Sequence, residues 1–188
     1  MAEQTLKEKT AKGLFWGGLS NGVQQVLNLV FGLMLARILD ASDYGMVGML
    51  AIFSAIASTI QESGFTAALT NQKEIRHEDY NAVFWFSTLT GVSFYLILFF
   101  CAPLIAQFYD KPELIGLSRI VFLSFLFGGF GIASNAYMFK TLMVKERAKI
   151  DIISLICSGT IGVLLALNGF AYYGLAIQTT AYIGIGSM

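Results

Sequence analysis

Charge is what this chain has least of. Only 13% of its 188 residues are Asp, Glu, Lys or Arg, against 56% apolar, and mean hydropathy is +0.67. Soluble globular domains sit nearer a quarter charged. A chain this poor in charge cannot clothe a water-facing surface, so its solvent is lipid. Histidine is nearly missing too: His77 stands alone, which excludes the usual zinc frameworks and leaves no metal or cofactor to expect. The two cysteines, Cys101 and Cys157, are far apart in apolar runs, so a disulfide scaffold is excluded and both read as small hydrophobes. Acids and bases balance at 12 each, and with no net field nothing points to nucleic acid.

What the chain has in abundance is long apolar segments. A bilayer core about 30 Å thick takes roughly 20 helical residues to cross. The sequence offers such runs at Gly13–Ala36, Gly45–Leu69, Ala82–Phe108, Leu114–Phe139, Ile150–Leu167 and Ala171–Met188. Short polar connections separate them at Arg37–Tyr44, Thr70–Asn81, Tyr109–Glu113, Lys140–Lys149 and Asn168–Phe170. Barrel strands would be about ten residues with alternating polarity, and soluble helical repeats would each carry a charged face. The pattern therefore predicts an all-α, polytopic membrane bundle of about six transmembrane helices. Residues 1–12 precede it as a cytoplasmic segment, and residues 13–188 form the bundle. The first run follows a basic leader (Lys7, Lys9, Lys12), but it is about twice the length of a signal-peptide core and no small-x-small site follows it. It reads as a retained helix.

Orientation follows from the basic residues. One side carries Lys7, Lys9, Lys12, Lys73, Arg76, Lys140, Lys145, Arg147 and Lys149; the other carries Arg37 and Lys111, with Arg119 inside a span. Nine against two places the N-terminus in the cytoplasm. No polar or basic segment follows the sixth run at Gly186, Ser187 and Met188, so this is expected to be the N-terminal portion of a longer gene product, or a truncated reading frame.

Polar residues recur inside the runs at helical spacing. Asn21, Gln24, Gln25 and Asn28 share a face of the first helix; Ser54, Ser58, Gln61 and Glu62 do so in the second. The fourth offers Ser124, Gly128, Gly131 and Asn135, and the fifth Asp151, Ser154 and Ser158. Each stripe is either glue between helices or the lining of a hydrated cavity; four striped helices together favour a cavity. Arg119, about 9 Å inside the outer boundary at 1.5 Å per residue, is either a snorkelling arginine or an anion contact. Arg37 ends the first run on that side, as an interfacial anchor or a second arm of one anion site. Glu62 is a structural partner for a base, or a coupling acid for protons or cations. The basic Lys140–Lys149 loop sets topology and could also attract anionic lipid.

From Leu35 to Gly45 (Leu-Ala-Arg-Ile-Leu-Asp-Ala-Ser-Asp-Tyr-Gly) the sequence resembles the bacterial polysaccharide transporters. These are the O-antigen and exopolysaccharide lipid flippases, in the superfamily that also holds the multidrug and toxin extruders. Further matches are Glu62-Ser63-Gly64 with Ala68-Leu69, Asn81–Trp85 opening the third helix, and the basic loop before Asp151, Ile152 and Ile153. Ala41 stands where the family's turn usually has proline, and Glu62 where its pattern has Asp. Family members carry about 12 to 14 helices in two pseudo-symmetric lobes, and this chain resembles the first lobe. The resemblance implies a non-enzymatic flippase of the inner membrane. Its substrate would be an undecaprenyl-diphosphate-linked oligosaccharide for surface polysaccharide such as lipopolysaccharide, with membrane lipids and the polysaccharide polymerase machinery as partners. Arg37 and Arg119 would then contact phosphate, and Asn21, Gln25, Asn28 and Gln61 would line the cavity. Rival readings are an ion-coupled small-molecule extruder with Glu62 as its coupling acid, and a scaffold or half-protein that pairs with another chain. A membrane-embedded enzyme acting on the same lipid-linked sugars would need a large outer loop, and the outer loops here are about three to eight residues long.

Overall fold

Long apolar runs favour helices that satisfy their own backbone in lipid, and six helices form among the described residues, one of them with Pro103 inside it. The computed structural model describes residues 6–62, 77–141 and 143–187. The helices are α1 (Leu6–Ile38), α2 (Ala41–Glu62), α3 (His77–Phe108), α4 (Leu114–Lys140), α5 (Val144–Leu167) and α6 (Ala171–Gly186). No strand occurs among the described residues. The expected positions Ser63, Gly64, Ala68, Leu69, Lys73 and Arg76 lie outside the described residues, as do the side chains of Lys7, Lys9, Lys12, Glu62 and Lys140.

Five helices, α1 to α5, are long and apolar enough to cross a bilayer. The sixth has 16 residues, about 24 Å at 1.5 Å per residue. The helices run past the expected boundaries into the polar connections. Of the loop expected at Lys140–Lys149, the last six residues are the first turns of α5, because Lys, Glu, Arg and Ala are good helix formers. Arg147 and Asp151, one turn apart, add an ion pair with Nε–Oδ1 at 3.0 Å. Between α1 and α2 only Leu39 and Asp40 stand outside the helices. There the Asp40 N–H donates to Asp43 Oδ2 at 3.0 Å, and the Asp43 and Tyr44 N–H groups donate to Asp40 O.

The packing is a curved row, α3–α4–α6–α5–α1, with α2 laid over α4, α6 and α3. The central helix α4 is the most enclosed; α1 and α2 are the least. One apolar cluster joins Leu50 and Ala57 of α2, Ile105 and Ala106 of α3, Leu114, Leu117, Val121, Phe122 and Phe125 of α4, and Ala176 of α6. A smaller one ties α1 to α5 and α6 through Leu35, Leu39, Val163 and Ala166, with Phe31 and Leu175 against them. The α3–α4 contact is closest where two glycines meet. A Cβ on Gly91 would stand 2.6 Å from Phe125 O, and one on Gly129 would stand 2.7 Å from Ser87 O. Removing both side chains lets the backbones touch, and Ser87 Oγ then donates across the crossing to Gly129 O at 2.9 Å. Small residues at a membrane helix crossing work in this way.

Candidate functional site: an uncovered polar face and a stacked arginine

Three of the four polar stripes are used up in packing. In α5, Ser154 and Ser158 are fully buried against the bundle; in α4, Ser124 is buried; in α2, Gln61 is 4% exposed. The Gln61 Nε2 donates to Phe125 O at 2.9 Å, and the same amide lies within 4 Å of where a Cβ would sit on Gly91, Gly128 and Gly129. One side chain thus fills the junction of α2, α3 and α4. Ser54 Oγ, Asn135 Oδ1 and Ser154 Oγ are shut away without a hydrogen-bond partner, so the packed interior keeps polar atoms in reserve.

The stripe of α1 is different. Among the described residues this helix is held by one side: Gly17 lies against Val144, Phe31 against Gly159, and Leu35 against Val163. Ser20 and Gln24 continue that side, with Gln24 Nε2 donating to Ser20 Oγ at 2.9 Å. The neighbouring side carries Asn21, Gln25, Asn28 and Gly32 at i, i+4, i+7 and i+11, all exposed. Gly18, Gly22 and Gly32 have nothing within 4 Å of where a Cβ would sit. The third side is apolar, with Phe15, Val26 and Leu33 more than half exposed. Although α1 and α2 are joined by a tight turn, they share almost no packing. On one side of α2 the small residues Gly48, Ala51, Ala55 and Thr59 are exposed, and next to these Ile52, Ile56 and Ile60.

The two arginines are not brought together. Arg37 is exposed at the last turn of α1, whereas Arg119 is half-buried on α4, which α1 does not pack against. The Arg119 guanidinium carbon lies 4.2 Å from the centroid of the Phe99 ring on α3, and its Nε is enclosed without a partner. Nor do Arg119 and Gln61 share a side. Gln61 approaches α4 at Gly128, nine residues from Arg119, which at 3.6 residues per turn is half a revolution away. Glu62 closes α2 directly after Gln61. The stack on Phe99 escaped sequence reasoning because 20 residues and a turn separate the two, and only helix pairing brings them level. Lys145 stacks in the same way on Trp16, with Nζ 5.1 Å from the ring centroid, where α5 meets the start of α1.

The polysaccharide biosynthesis protein family matches the chain over residues 34–187. The chain belongs to that family. Among curated proteins it is 27% identical to the lipopolysaccharide biosynthesis protein WzxC of Escherichia coli (strain K12), over 76% of this chain and 28% of the relative. It is 26% identical to the teichuronic acid biosynthesis protein TuaB of Bacillus subtilis (strain 168), over 82% and 32%. It is 29% identical to the succinoglycan biosynthesis transport protein ExoT of Rhizobium meliloti (strain 1021), over 93% and 35%. No solved structure matches. The chain spans about a third of the length of these family relatives. It is a multi-pass membrane protein of the family.

Proposed function

We propose that the protein is part of a flippase that carries a polyprenyl-diphosphate-linked oligosaccharide across the bacterial inner membrane for surface polysaccharide synthesis. One observation carries this reading: a membrane-crossing helix leaves Asn21, Gln25 and Asn28 uncovered on one side. Three amides facing lipid would be costly, so water, substrate or another polar surface covers them. A hydrated groove at that side can solvate sugar hydroxyls while the polyprenyl tail stays in lipid. The transport protein ExoT, similar over 93% of this chain, supports transport as the activity rather than catalysis.

In this reading Asn21, Gln25 and Asn28 line the route and Arg37 meets phosphate near its outer end, while Arg119, on a helix that α1 does not pack against, meets phosphate apart from it. Gln61 joins the lining in a state where α2 parts from α4, and Glu62 is the candidate coupling acid beside it. The nine-to-two bias of basic residues supports a cytoplasmic N-terminus. Flux runs from the cytoplasmic to the outer leaflet, where a polymerase takes up the sugar.

Complementation tests the reading. In a bacterium lacking its own polysaccharide flippase but making the cognate glycan, the full-length gene is expected to restore surface polysaccharide. An Asn21→Leu, Gln25→Leu, Asn28→Leu variant, inserted to the same level, is expected to lose it. Unaltered export by the triple variant would remove the amide face from the route.

A further inference from the structure

The two halves of α2 are seated differently. Toward its first turn the helix is fastened by apolar side chains. Leu50 is fully buried, and Met46, Val47, Met49 and Phe53 pack into the cluster it shares with α3, α4 and α6. The turn before α2 is fastened too, since Leu39 is buried with Val163 and Ala166 of α5. Beyond Phe53 the inward side is small and polar. Leu50, Ser54, Ala57 and Gln61 follow at i, i+4, i+7 and i+11 on one face, which puts Gln61 about 16 Å from Leu50 along the helix.

Two polar groups set the balance at that far end. Gln61 Nε2 donates to Phe125 O at 2.9 Å. This carbonyl also belongs to the helical ladder of α4, so parting would strand no acceptor and would expose an amide that water satisfies. The socket that receives the amide does not depend on α2. Gly91 and Gly129 meet at the α3–α4 crossing, and Ser87 Oγ ties that crossing through its bond to Gly129 O. Ser54 acts in the opposite sense. Serines within a helix can donate to a carbonyl one turn back, as Ser58, Ser93, Ser118, Ser124 and Ser158 do here. Ser54 Oγ is enclosed and has no partner among the described residues, and an enclosed hydroxyl without a partner destabilises the seated position. One bond favours seating and one orphan hydroxyl opposes it. Modest effects of opposite sign are what an element with two positions requires.

We propose that Gln61 in its glycine socket is a latch. In each transport cycle α2 pivots near Leu50, and its Gln61 end leaves the α3–α4 crossing and returns, while the turn at Leu39 and Asp40 stays in place. The inference rests on the flippase reading and deepens it, because it supplies what holds and what releases the position in which Gln61 is packed away. The movement is that of one helix within the bundle, and the glycine crossing of α3 and α4 stays closed through it. In the open position Ser54 and Ala57 come into reach of water together with Gln61.

The test is the reactivity of Ala57→Cys, at a position 3% exposed on that face, toward a membrane-impermeant maleimide. The full-length protein is reconstituted in liposomes with its other cysteines replaced. Gln61→Ala is expected to raise the labelling rate about tenfold, since the seated position loses its hydrogen bond and its packing. Ser54→Ala is expected to lower the rate several-fold and to raise the melting temperature, because it removes the orphan hydroxyl. Leu155→Ala opens a void in α5, which shares almost no packing with α2, and is expected to leave the rate unchanged. Melting temperatures and insertion levels confirm that each variant folds. Equal rates in the parent, Gln61→Ala and Ser54→Ala proteins would overturn the latch. So would a rise with Leu155→Ala as large as that with Gln61→Ala, which would be general loosening. If complementation fails while the rates move as expected, the transport reading falls and the latch stands. If export proceeds and Ala57→Cys stays protected in every variant, only the latch falls.

Discussion

Gln61 shows how far one side chain can be committed. Its amide closes the space between α2, α3 and α4 and donates to Phe125 O, a carbonyl already inside a helix. Gln61→Ala is therefore expected to cost about 1–2 kcal/mol, the sum of a modest membrane hydrogen bond and a small void. It should appear as a lower melting temperature in detergent, with Gln61→Glu no better because it would bury a charge. Glycines provide a paired comparison. Gly91→Ala would push a Cβ to 2.6 Å from backbone that cannot yield, whereas Gly48 has open space. Gly91→Ala is expected to destabilise by about 1–3 kcal/mol, as overpacking does. Gly48→Ala should be neutral or mildly stabilising because alanine favours helix. Equal melting temperatures for the two variants would refute the tight crossing.

At the scale of the element, α1 is the helix whose environment changes from side to side. One side is packed on α5, one is amide and glycine, and one is apolar. Single cysteines placed on these sides, in a background with Cys101 and Cys157 replaced, should react differently with a membrane-impermeant thiol reagent. Asn21→Cys, Gln25→Cys and Asn28→Cys are expected to label, while Val26→Cys and Leu33→Cys are expected to stay protected by lipid. Uniform protection along α1 would mean that the amides meet another helix and not water. The helix is also tied at its lower end by Lys145 over Trp16, a contact worth about 0.5–2 kcal/mol. Lys145→Ala is thus expected to loosen α1 without touching the amide side.

For the whole molecule, topology is the first quantity to measure. Reporter fusions within Tyr109–Glu113 and at Asn168 are expected to be active outside the cytoplasm, and fusions after Thr141 inside it. The reverse pattern would invert every statement about inner and outer ends. The row of five helices with α2 laid across it exposes more on the α1 and α2 side than on α4. Such an uneven distribution of packing suits a bundle that works against another surface.

The sequence by itself determined the solvent, the six helices found among the described residues and most of their ends. Apolar runs of spanning length admit only one backbone solution in lipid, and α3 to α6 end or begin at residues close to the expected ones. It also marked the amides of α1, because their spacing puts them on one side whatever they face. Residues Lys145 to Lys149 were legible as basic but not as helix, since topology rules read charge and not propensity. Tertiary structure alone decided how each polar stripe is used. Glue and cavity lining have the same spacing, and only the neighbours of a helix separate them: Gln61, Ser154 and Ser158 have neighbours, whereas Asn21, Gln25 and Asn28 stand open. It decided Arg119 in the same way. The partner of a side chain in an antiparallel pair depends on register, and register is fixed by the close crossing of Gly91 and Gly129, far along the chain from the arginine it seats on Phe99.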